Sequence, residues 1–366
     1  MDAPTIVPSF ASAALPFAPF CTLWIPSSAR LLALGCRQDG SASLGALHLY
    51  KLEMPADDSG QLRLMLDAAK QAGGTKKTTT GLSRAGLKCG TFDLSTPSGR
   101  LLAVGDFEGR VSVWDVERLQ GERPLQTLFT IEGGHDQIVN SIDATPHLLL
   151  TGSRDGRACV WDVRQRGKPT AAVAELAFPE SDCWAVTFSG ASQEGFFAGY
   201  DDGRVYMAEL RMNAQPRWQH HLARSSGICS LDCHDGKLVA TTVDDHFTLF
   251  DLDLTAPARG PELKREVKGR PTLRPPEAMD ATTWDARFSP HNRDYFMTAG
   301  GNGYLDLYKT GSAAGGHAWN LQSVATVAAG TQPILSFAWN QAKEGLFAFA
   351  SLDSSLHVGF VPTPLR

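Results

Sequence analysis

Two stretches of this chain are near copies of one another, and their spacing limits what it can fold into. LLAVGDFEGRVSVWDV (101–116) and LLLTGSRDGRACVWDV (148–163) each read as a strand, a tight turn rich in Gly and Asp, and a second alternating strand ending in Trp-Asp. The two Trp-Asp pairs begin 47 residues apart, at Trp114 and Trp161. That spacing is close to the roughly 40–45 residues of one four-stranded blade. Such a unit cannot bury its apolar faces alone, so copies have to stack.

Weaker copies keep the register. They are FFAGYDDGRVYMAEL (196–210), LVATTVDDHFTLFDL (238–252), YFMTAGGNGYLDLYK (295–309) and LFAFASLDSSLHVGF (346–360), with LLALGCRQDGSASLGALHLYK (31–51) ahead of them. Tyr50, Trp114, Trp161, Ala208, Phe250, Tyr308 and Gly359 fill the Trp position, and most are aromatic, as a bulky group between adjacent blades requires.

Each copy follows an apolar stretch fit for an inner strand: FCTLWIP (20–26), LKCGTFDL (87–94), QIVNSID (137–143), CWAVTFS (183–189), ICSLDC (228–233), TWDARFS (283–289) and PILSFAWN (333–340). TIVPSF near the N-terminus can supply the outer strand of the last blade, closing the ring without an exposed edge. The expected fold is all-β, a single seven-bladed WD-repeat β-propeller with four antiparallel strands per blade, spanning residues 1–366. Two stretches stand outside the repeats. Residues 54–86, with GGTKKTTTGLSRAG, read as an insertion between blades one and two. Residues 256–280, with RGPELKREVKGRPTLRPPEAMD, read as a surface loop between blades five and six.

A net charge of −5 and the absence of any Lys/Arg run argue against a nucleic-acid partner. Residues 3–29 carry no charge, but Pro4, Pro8, Pro16, Pro19 and Pro26 would break a membrane helix, and Asp2 does not suit a signal peptide. The odd number of cysteines, 7, without a CxxC pair, suits reduced thiols in the cytoplasm. A monomer by itself is expected.

Motifs for chemistry are missing: no Walker loop, no HExxH, no GxSxG. The expectation is a non-enzymatic protein-binding scaffold without cofactor or metal. Cys229, Cys233 and His234 form a close cluster, read as core packing with both cysteines on one strand face, and His220-His221 reads as exposed outer strand. Blade three has the fullest structural hydrogen-bond set of the repeat: His135, Ser153, Asp155 and Trp161. Propellers of this kind hold partners at the channel end where inner strands begin. Lys88, Asp182, Trp184, Trp284 and Gln332 are the candidate partner-binding residues there, alongside His135 and Ile228. An alternative site is Trp161-Asp162-Val163-Arg164, which resembles the WDxR ending with which substrate receptors dock on a cullin ubiquitin ligase.

KCGTF (88–92), TGSRDGR (151–157), DCWAVTF (182–188), AGYDDG (198–203), GICSLD (227–232), KLVAT (237–241), HNRDYFMTAGG (291–301) and TQPILSFAWN (331–340) go beyond general repeat features. In these segments, covering blades two to seven, the chain resembles the Monad family of WD-repeat axonemal dynein assembly factors. Blade one matches weakly, through FCTLWIPSSA (20–29). The stretch 73–86 looks longer than the family needs, and Ala208 departs from its aromatic position. The resemblance implies a cytoplasmic adaptor, present also in cilium or flagellum. Its implied partners are prefoldin-like co-chaperone subunits and dynein heavy chains.

Overall fold

The computed structural model describes residues 5–54, 62–71, 85–95, 98–118, 126–164, 169, 171–190, 195–212, 214–222, 227–234, 236–254, 262–278, 281–312 and 319–362. They form seven four-stranded antiparallel sheets arranged as the blades of a propeller. Blade one comprises Ala18–Trp24, Arg30–Asp39, Ala42–Glu53 and Arg63–Gln71 from inside to outside. The inner strands of blades two to seven are Leu87–Thr91, Val139–Ala144, Cys183–Phe188, Ile228–His234, Thr283–Phe288 and Ile334–Trp339. The outer strand of blade seven comes from the start of the chain: Val7–Ala14 pairs antiparallel with Ser355–Phe360. The ring therefore closes within a sheet, where backbone hydrogen bonds join the two ends of the chain.

The second and third strands meet in the turns that the repeat predicts, and the backbone there enters the left-handed region. Gly109 sits at φ 82° and Gly156 at φ 83°. A side chain at Gly109 would put its Cβ 2.4 Å from the carbonyl oxygen of His135, so glycine serves both turn and packing. In blade five Asp245 holds the same place at φ 60°, a conformation Asp tolerates better than most residues.

In the Trp column every blade keeps at least one aromatic residue in the facing pair, and blade six has two, Tyr308 opposite Phe296. Tyr50, Trp114, Trp161 and Phe250 stand opposite Leu31, Leu102, Leu149 and Leu238 on the second strand. Where the third strand has only Ala208 or Gly359, its opposite number is instead Phe196 or Phe347. A Cβ added to Gly359 would lie 2.3 Å from Phe347 Cζ, so that ring fills the vacated space. The missing aromatic of blade four is thus compensated across the strand pair.

The stretches set apart in the sequence are partly blade. Arg63–Gln71 is the outer strand of blade one, and Glu262–Gly269 that of blade five, paired with Phe247–Asp253. The second of these leaves no pattern in the sequence because it buries little: ELKREVKG has few apolar residues, and its positions are half-covered or exposed. Residues 72–84 and 255–261 lie outside the described residues. The expected surface loop also contains Arg274, whose side chain is fully buried. It donates to Asp306 Oδ2 at 2.6 and 3.0 Å and to Asp245 Oδ1 at 3.1 Å. Thr283 and Thr326 donate to the same two carboxylates. This segment is anchored between blades five and six, because a buried guanidinium is tolerated only when its charge and donors are matched.

A chain lacking residues 1–14 loses the outer strand of blade seven and exposes Ser355–Phe360 as an edge. It is expected to melt at lower temperature or to self-associate, read by thermal denaturation and size-exclusion chromatography. An unchanged melting temperature in a monomer would contradict closure through that strand.

Candidate functional site

Every inner strand carries one irregularity at the same place. The register with the second strand shifts between Pro19 and Cys21, Leu87 and Cys89, Val139 and Ser141, Cys183 and Ala185, Ile228 and Ser230, Thr283 and Asp285, and Ile334 and Ser336. A β-bulge inserts one residue and re-aims its side chain. The bulged residues are Phe20, Lys88, Asn140, Trp184, Cys229, Trp284 and Leu335; all are half-buried and all line a central channel of about 1340 Å³. They form a collar just inside the end where inner strands begin. Lys88 Nζ lies 4.9 Å from the centre of the Phe20 ring. Burial lowers its pKa from the ordinary lysine value. Asn140 Nδ2 donates to the Cys183 carbonyl at 3.0 Å.

The residue after each bulge ties its blade to the next. Ser141 Oγ accepts from Val186 N at 3.2 Å, Ser230 Oγ from Ala286 N at 3.0 Å, Asp285 from Phe337 N at 3.2 Å and Ser336 Oγ from Thr22 N at 2.9 Å. The thiols of Cys21 and Cys89 reach the carbonyls of Gly90 and Val139 in the same sense. Only blade four differs, with Ala185 in that place. Two positions further on, Asp143 accepts from Phe188 N at 2.8 Å and Asp232 from Phe288 N at 2.7 Å. Arg287 lies 3.1 Å from Asp285, whose charge raises the guanidinium pKa.

Of the sequence candidates for partner binding, Lys88, Asp182, Trp184 and Trp284 all line this channel. Asp182 stands at the rim, 3.3 Å from Arg154 Nε. Gln332 is exposed but not part of the channel wall. Ile228 is fully buried, because the next blade closes over the flat side of Gly199: a Cβ there would lie 2.5 Å from Ile228. His135 is buried as well, at 2% exposure, and cannot touch a partner. Sequence reading missed Phe20, Asn140, Cys229 and Leu335. Stacking the seven inner stretches in one column would have found them, since each immediately precedes the position that links to the next blade.

In blade three, His135 Nδ1 donates to Asp155 Oδ2 at 3.0 Å while Nε2 meets Thr151 Oγ1 at 2.7 Å. Trp161 Nε1 donates to the same hydroxyl at 3.0 Å. The bridge between imidazole and indole is therefore Thr151, not Ser153, which instead donates to the Gln137 carbonyl. Thr151 lies two residues before Ser153 on the same strand, so both point into one interface. Burial alone would raise the Asp155 pKa; hydrogen bonds from His135, Asp136 and Arg157 hold it well below the usual carboxylate range.

The cysteines at 229 and 233 both border the channel but differ in burial: Cys229 is half-buried in the collar, and Cys233 is buried in the core between blades four and five. Among the described residues no group of His, Cys, Asp and Glu is arranged to hold a metal ion. No helix among them is long and apolar enough to cross a membrane. Arg164 follows the third strand of blade three and so lies at the opposite end of the blade from the collar. It is exposed and donates to the Asp162 carboxylate at 3.0 Å.

Trp161→Ala is expected to destabilise the fold by about 3–5 kcal/mol, as for other large buried aromatic truncations. Denaturant unfolding reads this directly, and unchanged stability would show that the ring is not structural. Burial, reinforced by Asp93, pushes the Asp143 pKa up to about 7. The unfolded value is about 3.9. The folded chain thus binds the extra proton between these values, and stability rises as pH falls from about 7 toward 4. Asp143→Asn should lack this component when melting temperature is followed across that range.

A WD domain, G-beta repeat model matches residues 123–162, the outer strand of blade two and the first three strands of blade three. The chain is 31% identical over 363 residues to Dynein axonemal assembly factor 10 of Xenopus tropicalis, covering 92% of this chain and 90% of that protein. It is 32% identical over 373 residues to the protein of that name from Chlamydomonas reinhardtii, covering 92% and 91%. To the one from Homo sapiens it is 30% identical over 363 residues, covering 92% and 90%. With identity of 30% or more over 92% of its length, the chain belongs to the dynein axonemal assembly factor 10 family of WD-repeat propellers.

Proposed function

We propose that this chain serves the assembly of axonemal dynein as a non-enzymatic scaffold, and that the channel mouth around Asp182, Trp184 and Trp284 is where it holds its partners. Similarity to Dynein axonemal assembly factor 10 over 92% of the chain carries this reading. The partners are prefoldin-like co-chaperone subunits and dynein heavy chains, met in the cytoplasm before dynein enters the cilium or flagellum. The mouth suits protein binding because two half-buried indoles stand there on a rigid ring, the residue type that dominates interface energy. Among the described residues of the mouth no nucleophile is hydrogen-bonded to a base, and catalysis has no part in the reading.

Asp182→Arg tests the surface without removing a buried ring. The Asp182–Arg154 pair is partly exposed, with side-chain exposures of 32% and 56%, so its loss costs at most about 1 kcal/mol. The variant is expected to melt near the parent temperature. It should recover less dynein heavy chain and co-chaperone in co-precipitation from ciliated cells, with a loss of about thirtyfold in affinity if the site is a hot spot. Normal folding with every partner recovered at parental levels would move the contact elsewhere, the outer strand Glu262–Gly269 being the next surface to test.

A further inference from the structure

The collar has a charge pattern that selects what can enter it. Lys88, Trp184 and Trp284 stand on blades two, four and six, and all three line the channel. Among the described residues no carboxylate pairs with Lys88; its ammonium rests on the Phe20 ring. The carboxylates that line the channel already have partners. Asp182 at the rim is held by Arg154, and Asp143, Asp232 and Asp285 deeper in the channel accept backbone N–H groups of the following blade. A half-buried cation without a counter-ion is an unfavourable arrangement that an incoming anion relieves.

We propose that the mouth binds an extended acidic segment of a partner protein, with one carboxylate on Lys88 Nζ and a neighbouring apolar side chain between Trp184 and Trp284. This deepens the reading of the mouth as the partner surface and rests on it. A basic segment would bring a second cation beside Lys88, and a purely apolar one would leave the ammonium buried and unmatched. The carboxylate supplies the counter-charge, and the indoles supply apolar contact that carries no charge preference. The bulge makes the geometry rigid, because each anchor is held by strand pairing on both sides of it.

The probe is a random peptide library displayed on phage and selected on the immobilised full chain, with the strongest peptide then measured by fluorescence anisotropy. Selected peptides are expected to carry Asp or Glu beside an aromatic or aliphatic residue. Lys88→Met should weaken binding by about tenfold or more, as for a lost charge-assisted hydrogen bond. Replacing the peptide's acid by its amide should weaken binding to the parent chain and leave binding to Lys88→Met unchanged.

A second reading uses the unmodified protein. Cys229 is the only cysteine that is not buried, and it belongs to the same collar, so bound peptide should slow its alkylation. That measurement decides the matter even if Lys88→Met fails to fold. Basic or uncharged peptides, equal affinity for Lys88→Met, an unaffected Cys229, no selected peptide, or displacement by a short oligothymidylate at equal affinity would each overturn the proposal. Co-precipitation of dynein heavy chain by the parent chain is independent of these outcomes, so the acidic-segment proposal can fail while the assembly role stands.

Discussion

Each inner strand holds one more residue than its neighbour can pair with, and the phase of its side chains changes at that point. Without the bulge, a strand alternating strictly would send every second residue from its start to its end into the same interface. With it, one side chain is turned into the channel while the next aligns on the adjoining blade. Ser141, Ser230, Asp285 and Ser336 then accept backbone N–H groups across the blade boundary. These bonds meet donors that the innermost strand could not otherwise satisfy in its own sheet, since that strand has a sheet neighbour on one side only. The same irregularity therefore builds both the ring and the collar, and a change that removed it would affect stability and recognition together.

Blades three and six solve one problem with different chemistry. In blade three a chain of hydrogen bonds runs from the Asp155 carboxylate through His135 and Thr151 to Trp161. In blade six Arg274 occupies the segment ahead of the inner strand and binds Asp306 on its own blade and Asp245 on the one before. Both fasten the linker between blades to the turn end of a sheet. The His network stays within one blade, whereas the Arg cluster spans two and secures a boundary that lies beside an outer strand poor in apolar residues. Removing one member of the cluster would leave an uncompensated buried charge, a larger loss than removing a hydroxyl from the His network.

A collar built this way separates specificity from folding. Phe20, Lys88, Trp184, Trp284 and Leu335 make few demands on the core, because the bulge has already taken them out of it. Their identities can differ between blades without disturbing the sheet, and they do: aromatic, basic, amide, thiol and aliphatic side chains occupy equivalent places. The mouth is in that sense the one part of the inner ring where the repeat does not dictate the residue, which is where partner choice can reside.

The repeat of Trp114-Asp115 and Trp161-Asp162 and its weaker copies determined the all-β ring, the number of blades and the inner strands, because hydrophobic alternation and turn glycines are local properties. The use of TIVPSF to close blade seven was also legible, since an unpaired edge has to be avoided. The outer strand Glu262–Gly269 was not, for it buries too little to leave a pattern. Nor were Arg274, fixed by carboxylates 29 and 32 residues away, or the exchange of a bulky third strand for a bulky second strand at Phe196 and Phe347. Trp184 and Trp284 could be named from the sequence, but whether each faced the core or the channel depended on a one-residue register shift against the neighbouring strand. Only pairing in three dimensions decides that shift, because alternation within a single strand reads the same with either face turned inward.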